Sequence, residues 1–188
     1  MGVKNSFIPS FFGGIMSLGI TTLVALALSA FGFVMYVYFF SVGYGFSIAG
    51  IGIALLVLYR NSLTLGTVIM CALFIIYGIR LGGYLAIREM KSTAYKTLLK
   101  DESKQNVKFG VKLCIWISCA ILYVCECAPV TFRLENAVAD DAFLYVGIVL
   151  AAMGILIEIL ADLQKSKAKK KNPKQFVSTG LYRIVRCP

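Results

Sequence analysis

The sequence contains no histidine and few charged residues. Charged side chains make up 15% of its 188 residues and hydrophobic ones 59%, whereas soluble domains carry about 25% charged residues. Cys125 and Cys127 are too close together for the usual pair of zinc ligands, and no histidine is present to complete a site. We therefore expect no metal site. The other cysteines lie mostly in apolar runs, which indicates no disulfide framework.

Long apolar runs dominate the chain. A helix needs about 20 apolar residues to cross a bilayer, and its backbone must satisfy its own hydrogen bonds there. We predict an all-α fold, a polytopic transmembrane helical bundle of about five spans, near 14–38, 42–59, 63–87, 109–128 and 142–163. Residues 1–188 are expected to form a single membrane domain. The first run lacks the short core and the cleavage site of a removable signal peptide.

The positive charge is concentrated in two segments beside apolar runs. The net charge is +10, and the cations cluster in residues 88–108 and 164–188. This pattern is typical of cytoplasmic loops and not of a nucleic-acid-binding surface. We predict that both segments are cytoplasmic and bind anionic lipid of the bilayer, with Lys169 to Lys171 contributing most. The membrane would be the endoplasmic reticulum in a eukaryote and the inner membrane in a bacterium.

The third predicted span contains a charged residue well inside it. A charge near the bilayer centre costs about 2.5–3.5 kcal/mol on insertion scales, so it needs access to water or a function. Arg80 lies about two turns before the cytoplasmic end of the span, and Tyr77, Tyr84 and Arg88 recur on nearly the same helical face. The pattern predicts an inward-facing polar stripe. The alternative is that Arg80 extends to the headgroups.

The fifth predicted span carries two acidic residues. Glu158 and Asp162 are four residues apart on one face, and Lys165 continues that stripe. Like charges at this spacing repel each other unless a cation or donor satisfies them. A functional site and a solvated helix end are both consistent with this pattern. Glu126 is predicted to lie at the non-cytoplasmic end of the fourth span, close enough to the interface to be solvated, and no role is predicted for it.

Two parts of the sequence resemble a known family. The segment ADLQK at residues 161–165, followed by a basic stretch and by TGLYRIVRCP at residues 179–188, is similar to the signature of steroid 5-alpha-reductase-like membrane proteins. That family includes a group labelled only as a domain of unknown function. The segment YGIRLGGYLAIRE at residues 77–89 resembles another stretch of the same family. Together the motifs cover about forty residues, in the family's order.

The resemblance implies a membrane-embedded reductase. Such enzymes transfer hydride from NADPH to a carbon–carbon double bond conjugated to a ketone in a lipid or sterol-like substrate. Tyr77 would be the catalytic residue that polarises the ketone. The residues predicted to bind the cofactor are Arg80, Arg88, Glu158, Asp162, Lys165, Tyr182, Arg183 and Arg186.

One feature departs from the family pattern. The related reductases pair the tyrosine with a glutamate in the preceding span, but residues 42–59 contain no acidic residue. This difference argues against a 3-oxo-steroid substrate and leaves reduction of another lipid open. The family's chain also continues past the final proline motif, so a truncated product is expected.

Two other functions stay open. Isoprenylcysteine carboxyl methyltransferases, which bind S-adenosylmethionine, end in an element similar to LYRIVRCP. The ADLQK segment favours the reductase, and the cysteine at position 187, where the methyltransferases have histidine, argues against the methyltransferase. A non-catalytic membrane relative is the other alternative.

Overall fold

The computed structural model describes residues 7–34, 36–91, 108–172 and 176–185. These residues form helices and turns without a strand. The α-helices are α1 (Phe7–Ser29), α2 (Val42–Leu58), α3 (Leu65–Lys91), α4 (Phe109–Glu135), α5 (Ala142–Lys171) and the short α6 (Leu181–Ile184), and two 3₁₀ segments, Ala30–Phe33 and Tyr36–Phe39, join α1 to α2.

Five helical segments in the described part of the chain are long and apolar enough to cross a membrane. They are Gly14–Phe33, Val37–Leu58, Leu65–Arg88, Phe109–Glu135 and Ala142–Lys170. Length and apolar composition are the requirements that a bilayer core places on a helix. The predicted all-α, polytopic fold is therefore confirmed.

The fourth helix is longer than the sequence indicated. Its span was predicted to end near residue 128, but α4 continues through Pro129 to Glu135. Proline removes one helical hydrogen bond, and transmembrane helices accommodate this because neighbouring groups satisfy the freed backbone. Glu126 thus lies nine residues before the helix end, or about 13 Å at 1.5 Å per residue. Glu126 therefore does not mark the end of α4.

Two other boundaries also differ from the prediction. The regular α-helix of the first span ends at Ser29, and the chain continues as 3₁₀ segments to Phe39. At the other end, α5 passes the predicted limit of 163 and continues to Lys171, so the first lysines of the basic segment belong to the helix. Residues 92–107, most of the predicted basic loop, lie outside the described residues.

The helices divide into two compact units, Met1–Asp140 and Asp141–Pro188. The single membrane domain predicted from the sequence is not tested by this division and stays a prediction. In the first unit, α2 packs against α1, α3 and α4. Its inner face buries Ile48, Ile51 and Leu55 together with residues of the other three helices.

Glycines allow α2 and α3 to approach closely. A Cβ atom added at Gly45 would lie 2.6 Å from the backbone nitrogen of Gly82 and 2.8 Å from the carbonyl oxygen of Gly78. No side chain fits at these distances, so the two backbones are in direct contact. Small residues serve this purpose at helix interfaces in membranes, where close van der Waals packing drives association. This contact fixes the position of α2 along the axis of α3, and so the position of α2 relative to Tyr77.

The second unit consists of α5 and a segment that returns along it. Asp141 caps α5, because its carboxylate accepts a hydrogen bond from the backbone N–H of Leu144 at 2.9 Å. Such a cap satisfies one of the free donors in the first helical turn. Residues 176–185 then contact the last turns of the same helix.

Candidate functional site

The polar stripe predicted on α3 lies on one face of that helix. Tyr77, Arg80, Tyr84 and Arg88 follow one another at steps of three or four residues, which is the spacing of a single helical face. All four side chains are half-buried. The guanidinium carbon of Arg88 is 5.9 Å from the centre of the Tyr84 ring, within the range of a cation–π interaction.

A chain of hydrogen bonds joins Tyr77 to an acid on another helix. The Tyr77 hydroxyl donates to the Tyr44 hydroxyl, with the two oxygens 3.4 Å apart. The Tyr44 hydroxyl in turn donates to Oε2 of Glu126 at 3.0 Å. The first contact is longer than the usual separation of two hydrogen-bonded hydroxyl oxygens, about 2.7–2.8 Å. Side chains of α3, α2 and α4 therefore meet at one point.

Aromatic packing holds this chain in place. The rings of Tyr44 and Tyr77 are 6.1 Å apart in an edge-to-face arrangement, and the rings of Tyr44 and Tyr123 are 5.2 Å apart. The Tyr123 hydroxyl donates to the carbonyl oxygen of Phe39. Its proton is thus directed at the backbone, and Tyr123 contributes packing and not a further link in the chain.

Neither Tyr44 nor Glu126 was predicted as a site residue. Residues 42–59 contain no acid, and the acidic residue that Tyr44 connects to Tyr77 is Glu126 on α4. A signal for Glu126 was present, because an acidic residue inside a transmembrane helix is by default a candidate functional group. It was missed because the predicted span ended too early.

In the second unit, the segment ADLQK contacts the first residues of TGLYRIVRCP. The backbone N–H of Leu181 donates to Oε1 of Gln164 at 2.9 Å, and the Tyr182 hydroxyl donates to the carbonyl oxygen of Ala161 at 3.5 Å. Gly180 has φ of 67° and a Cβ atom there would overlap the Gln164 side chain. Only glycine suits this position, because it adopts a left-handed backbone without steric cost.

A cleft lies between α5 and the returning segment. Its volume is about 720 Å³, and its polar lining consists of Gln164, Lys167, Lys170, Ser178 and Thr179. The cleft therefore presents two ammonium groups, two hydroxyls and one amide. Donors of these kinds bind phosphate oxygens through charge-assisted hydrogen bonds. Lys167 and Lys170 were not among the predicted cofactor ligands.

The predicted cofactor residues fall in both units. Arg80 and Arg88 are in the first unit, and the others that are described are in the second. Glu158, Asp162 and Tyr182 are half-buried, whereas Lys165 and Arg183 are exposed. Arg186 lies outside the described residues. Among the residues that the structure covers, no group of three or more histidine, cysteine, aspartate or glutamate side chains is arranged to hold a metal ion.

The fold defines a polytopic α-helical membrane protein. Hydrogen bonds join polar side chains of α2, α3 and α4, and a cleft lined by two lysines lies beside the end of α5. Residues 18–188 match the family described as "Protein of unknown function (DUF1295)", so the chain belongs to this family. The match confirms the family predicted from the motifs and extends over α2, where no motif was found. Neither the curated proteins nor the solved structures compared with the chain gave a match.

Proposed function

We propose that the protein is a membrane-embedded reductase that uses NADPH to reduce a carbon–carbon double bond conjugated to a carbonyl group in a lipid. The observation that carries this proposal is the contact between ADLQK and TGLYRIVRCP, in which Gln164 accepts the hydrogen bond from Leu181. This contact holds the returning segment beside the cations of α5.

The cleft suits a ligand with several phosphates. Lys167 and Lys170 offer point charges, and the hydroxyls of Ser178 and Thr179 offer donors, on opposite sides of one cavity. NADPH carries a pyrophosphate and a 2′-phosphate and so needs such groups. Its hydride would be the reductant, while the protein supplies binding and orientation.

The predicted cofactor ligands have complementary roles in this proposal. Lys165 and Arg183 are exposed in the unit that contains the cleft and can add positive charge there. Asp162 is half-buried and can accept hydrogen bonds from the ribose hydroxyls or from the carboxamide of the cofactor. Arg80 and Arg88 stay predicted cofactor ligands.

Tyr77 is proposed to act on the carbonyl end of the substrate. Reduction of a conjugated double bond places negative charge on the carbonyl oxygen, and a fixed donor at that oxygen stabilises the transition state. The Tyr77 hydroxyl is such a donor, and it lies in the middle of a membrane-spanning helix. A lipid reaches this depth from the bilayer, which is why we propose a lipid substrate.

Cofactor binding is the first test. We expect NADPH to raise the thermal unfolding temperature of the purified protein in nanodiscs, and S-adenosylmethionine to leave it unchanged. Replacing both Lys167 and Lys170 by alanine should weaken NADPH binding by roughly tenfold or more, since bonds to charged groups contribute about 1.5–3 kcal/mol each.

Lys169→Ala is the matched control. Lys169 is exposed on the same helix and does not line the cleft, so its replacement should change NADPH affinity less than twofold. Stabilisation by S-adenosylmethionine alone would favour the methyltransferase, and stabilisation by neither compound would favour a non-catalytic relative.

A further inference from the structure

The hydroxyl of Tyr77 is joined through Tyr44 to Glu126 by two hydrogen bonds. We infer that Glu126 is the proton reservoir of the site and that Tyr44 carries its proton to Tyr77. This inference rests on the proposed reductase function. It assigns roles to two residues on helices other than the one that carries Tyr77.

The protonation state of Glu126 sets the direction of both hydrogen bonds. An ionised carboxylate only accepts, so Tyr44 must then donate to Glu126 and can only accept from Tyr77, and these are the directions of the two contacts in the structure. In that arrangement the Tyr77 proton points away from a substrate. When Glu126 is protonated, it can donate to Tyr44, Tyr44 can donate to Tyr77, and the Tyr77 proton is released for the substrate carbonyl. The active arrangement therefore requires a protonated Glu126.

The position of Glu126 favours this state. It lies nine residues inside α4, on a helix long and apolar enough to span the membrane. An ionised acid inside a bilayer core carries a large energetic cost, which the neutral acid avoids. Tyr123 does not compete for the chain, because its hydroxyl donates to the carbonyl oxygen of Phe39.

The proposed reaction adds one hydride and one proton to the substrate. The β-carbon of the substrate gains a hydride, the double-bond electron pair moves toward the carbonyl, and the carbonyl oxygen takes the Tyr77 proton. Tyr77 is reprotonated by Tyr44, and Tyr44 by Glu126, which is left as a carboxylate. The enol exchanges its O–H proton for one at the α-carbon, so the lipid gains one hydride and one proton in total. A proton taken up from solvent then returns Glu126 to the neutral acid.

Two variants separate the proton supply from the geometry. Tyr44→Phe removes the link, and Glu126→Gln keeps a donor toward Tyr44 but has no proton to transfer. With NADPH and a long-chain 3-alken-2-one as the probe substrate, we expect both variants to lower kcat by at least about tenfold. KM for the probe and Kd for NADPH should change less than twofold. Tyr59→Phe, at the far end of α2, should behave as wild type.

Infrared spectroscopy tests the chain without turnover. At neutral pH, the carbonyl band of a protonated carboxylic acid should disappear in Glu126→Gln and shift in Tyr44→Phe. Identical wild-type and Tyr44→Phe spectra would overturn the inference whether or not the protein is a reductase.

The kinetic outcomes separate the two proposals. If the wild type is active and kcat is unchanged in both variants, the proton relay is contradicted and the reductase function is not. If the wild type reduces no conjugated lipid, the reductase function is contradicted. The catalytic role of the relay then fails as well, even where the infrared shift is present.

Discussion

At the scale of single residues, Tyr77 is the group whose role can be isolated most cleanly. Tyr77→Phe removes one oxygen and keeps the ring that packs against Tyr44. We expect kcat for reduction of the conjugated probe to fall by about 10²–10⁴-fold, the usual contribution of a positioned acid. The thermal unfolding temperature should stay close to that of wild type.

Tyr84→Phe is the matched control for that variant. Tyr84 lies on the same face of α3 and its ring contacts the guanidinium of Arg88, an interaction that phenylalanine retains. Its kcat should equal that of wild type. Equal losses of kcat in the two variants would show that the Tyr77 hydroxyl supports the structure of this face and does not act as a proton donor.

The polar face of α3 could be predicted from the sequence. Tyr77 and Arg80 share that face because they are three residues apart in one helix. The Gln164–Leu181 contact is not visible, since it joins residues 17 positions apart through a turn whose direction depends on Gly180. The turn itself is indicated by the glycine, but the partner that it reaches is not.

At the scale of elements, the α2–α3 contact determines where the polar chain forms. Gly78→Ala places a methyl group against the carbonyl oxygen of Gly45 and the backbone of Ala49. We expect this overpacking to destabilise the protein by about 1–3 kcal/mol, measured as a lower unfolding temperature in nanodiscs. Gly78→Ala should also lower kcat, because Tyr44 and Tyr77 move apart with the helices.

Gly83→Ala provides the control on the same helix. An added Cβ at Gly83 meets no atom of the described structure within 4 Å, and alanine is favoured over glycine in a helix by up to about 1 kcal/mol. This variant should be as stable as wild type or slightly more so. A Gly78→Ala protein of wild-type stability would contradict the close backbone contact.

The lengths of the elements were harder to predict than their existence. Apolar runs locate the helices because the bilayer requires them. They do not locate the ends of α4 and α5, where helix continues through Pro129 and through a lysine-rich stretch. Lysine is a good helix former, and hydropathy alone stops at the first charges.

At the scale of the whole molecule, the sequence predicted the class of fold and the family, and it did not predict the polar chain. Tyr77 and Tyr44 are 33 positions apart, and Tyr44 and Glu126 are 82 apart. Such contacts depend on how helices pack, and periodicity within one helix contains no information on them. The acidic residue joined to Tyr77 through Tyr44 is therefore on α4, and its contact with Tyr44 could not be predicted from the sequence.

The central claim is that this membrane protein transfers hydride from NADPH to a conjugated lipid. Its most direct test uses NADPH deuterated at the transferable position of the nicotinamide ring, with the protein in nanodiscs and the long-chain 3-alken-2-one as substrate. We predict a saturated ketone that carries one deuterium at the β-carbon, detected by mass spectrometry. A saturated ketone without deuterium, or an unchanged probe together with methyl transfer from S-adenosylmethionine, would contradict the account.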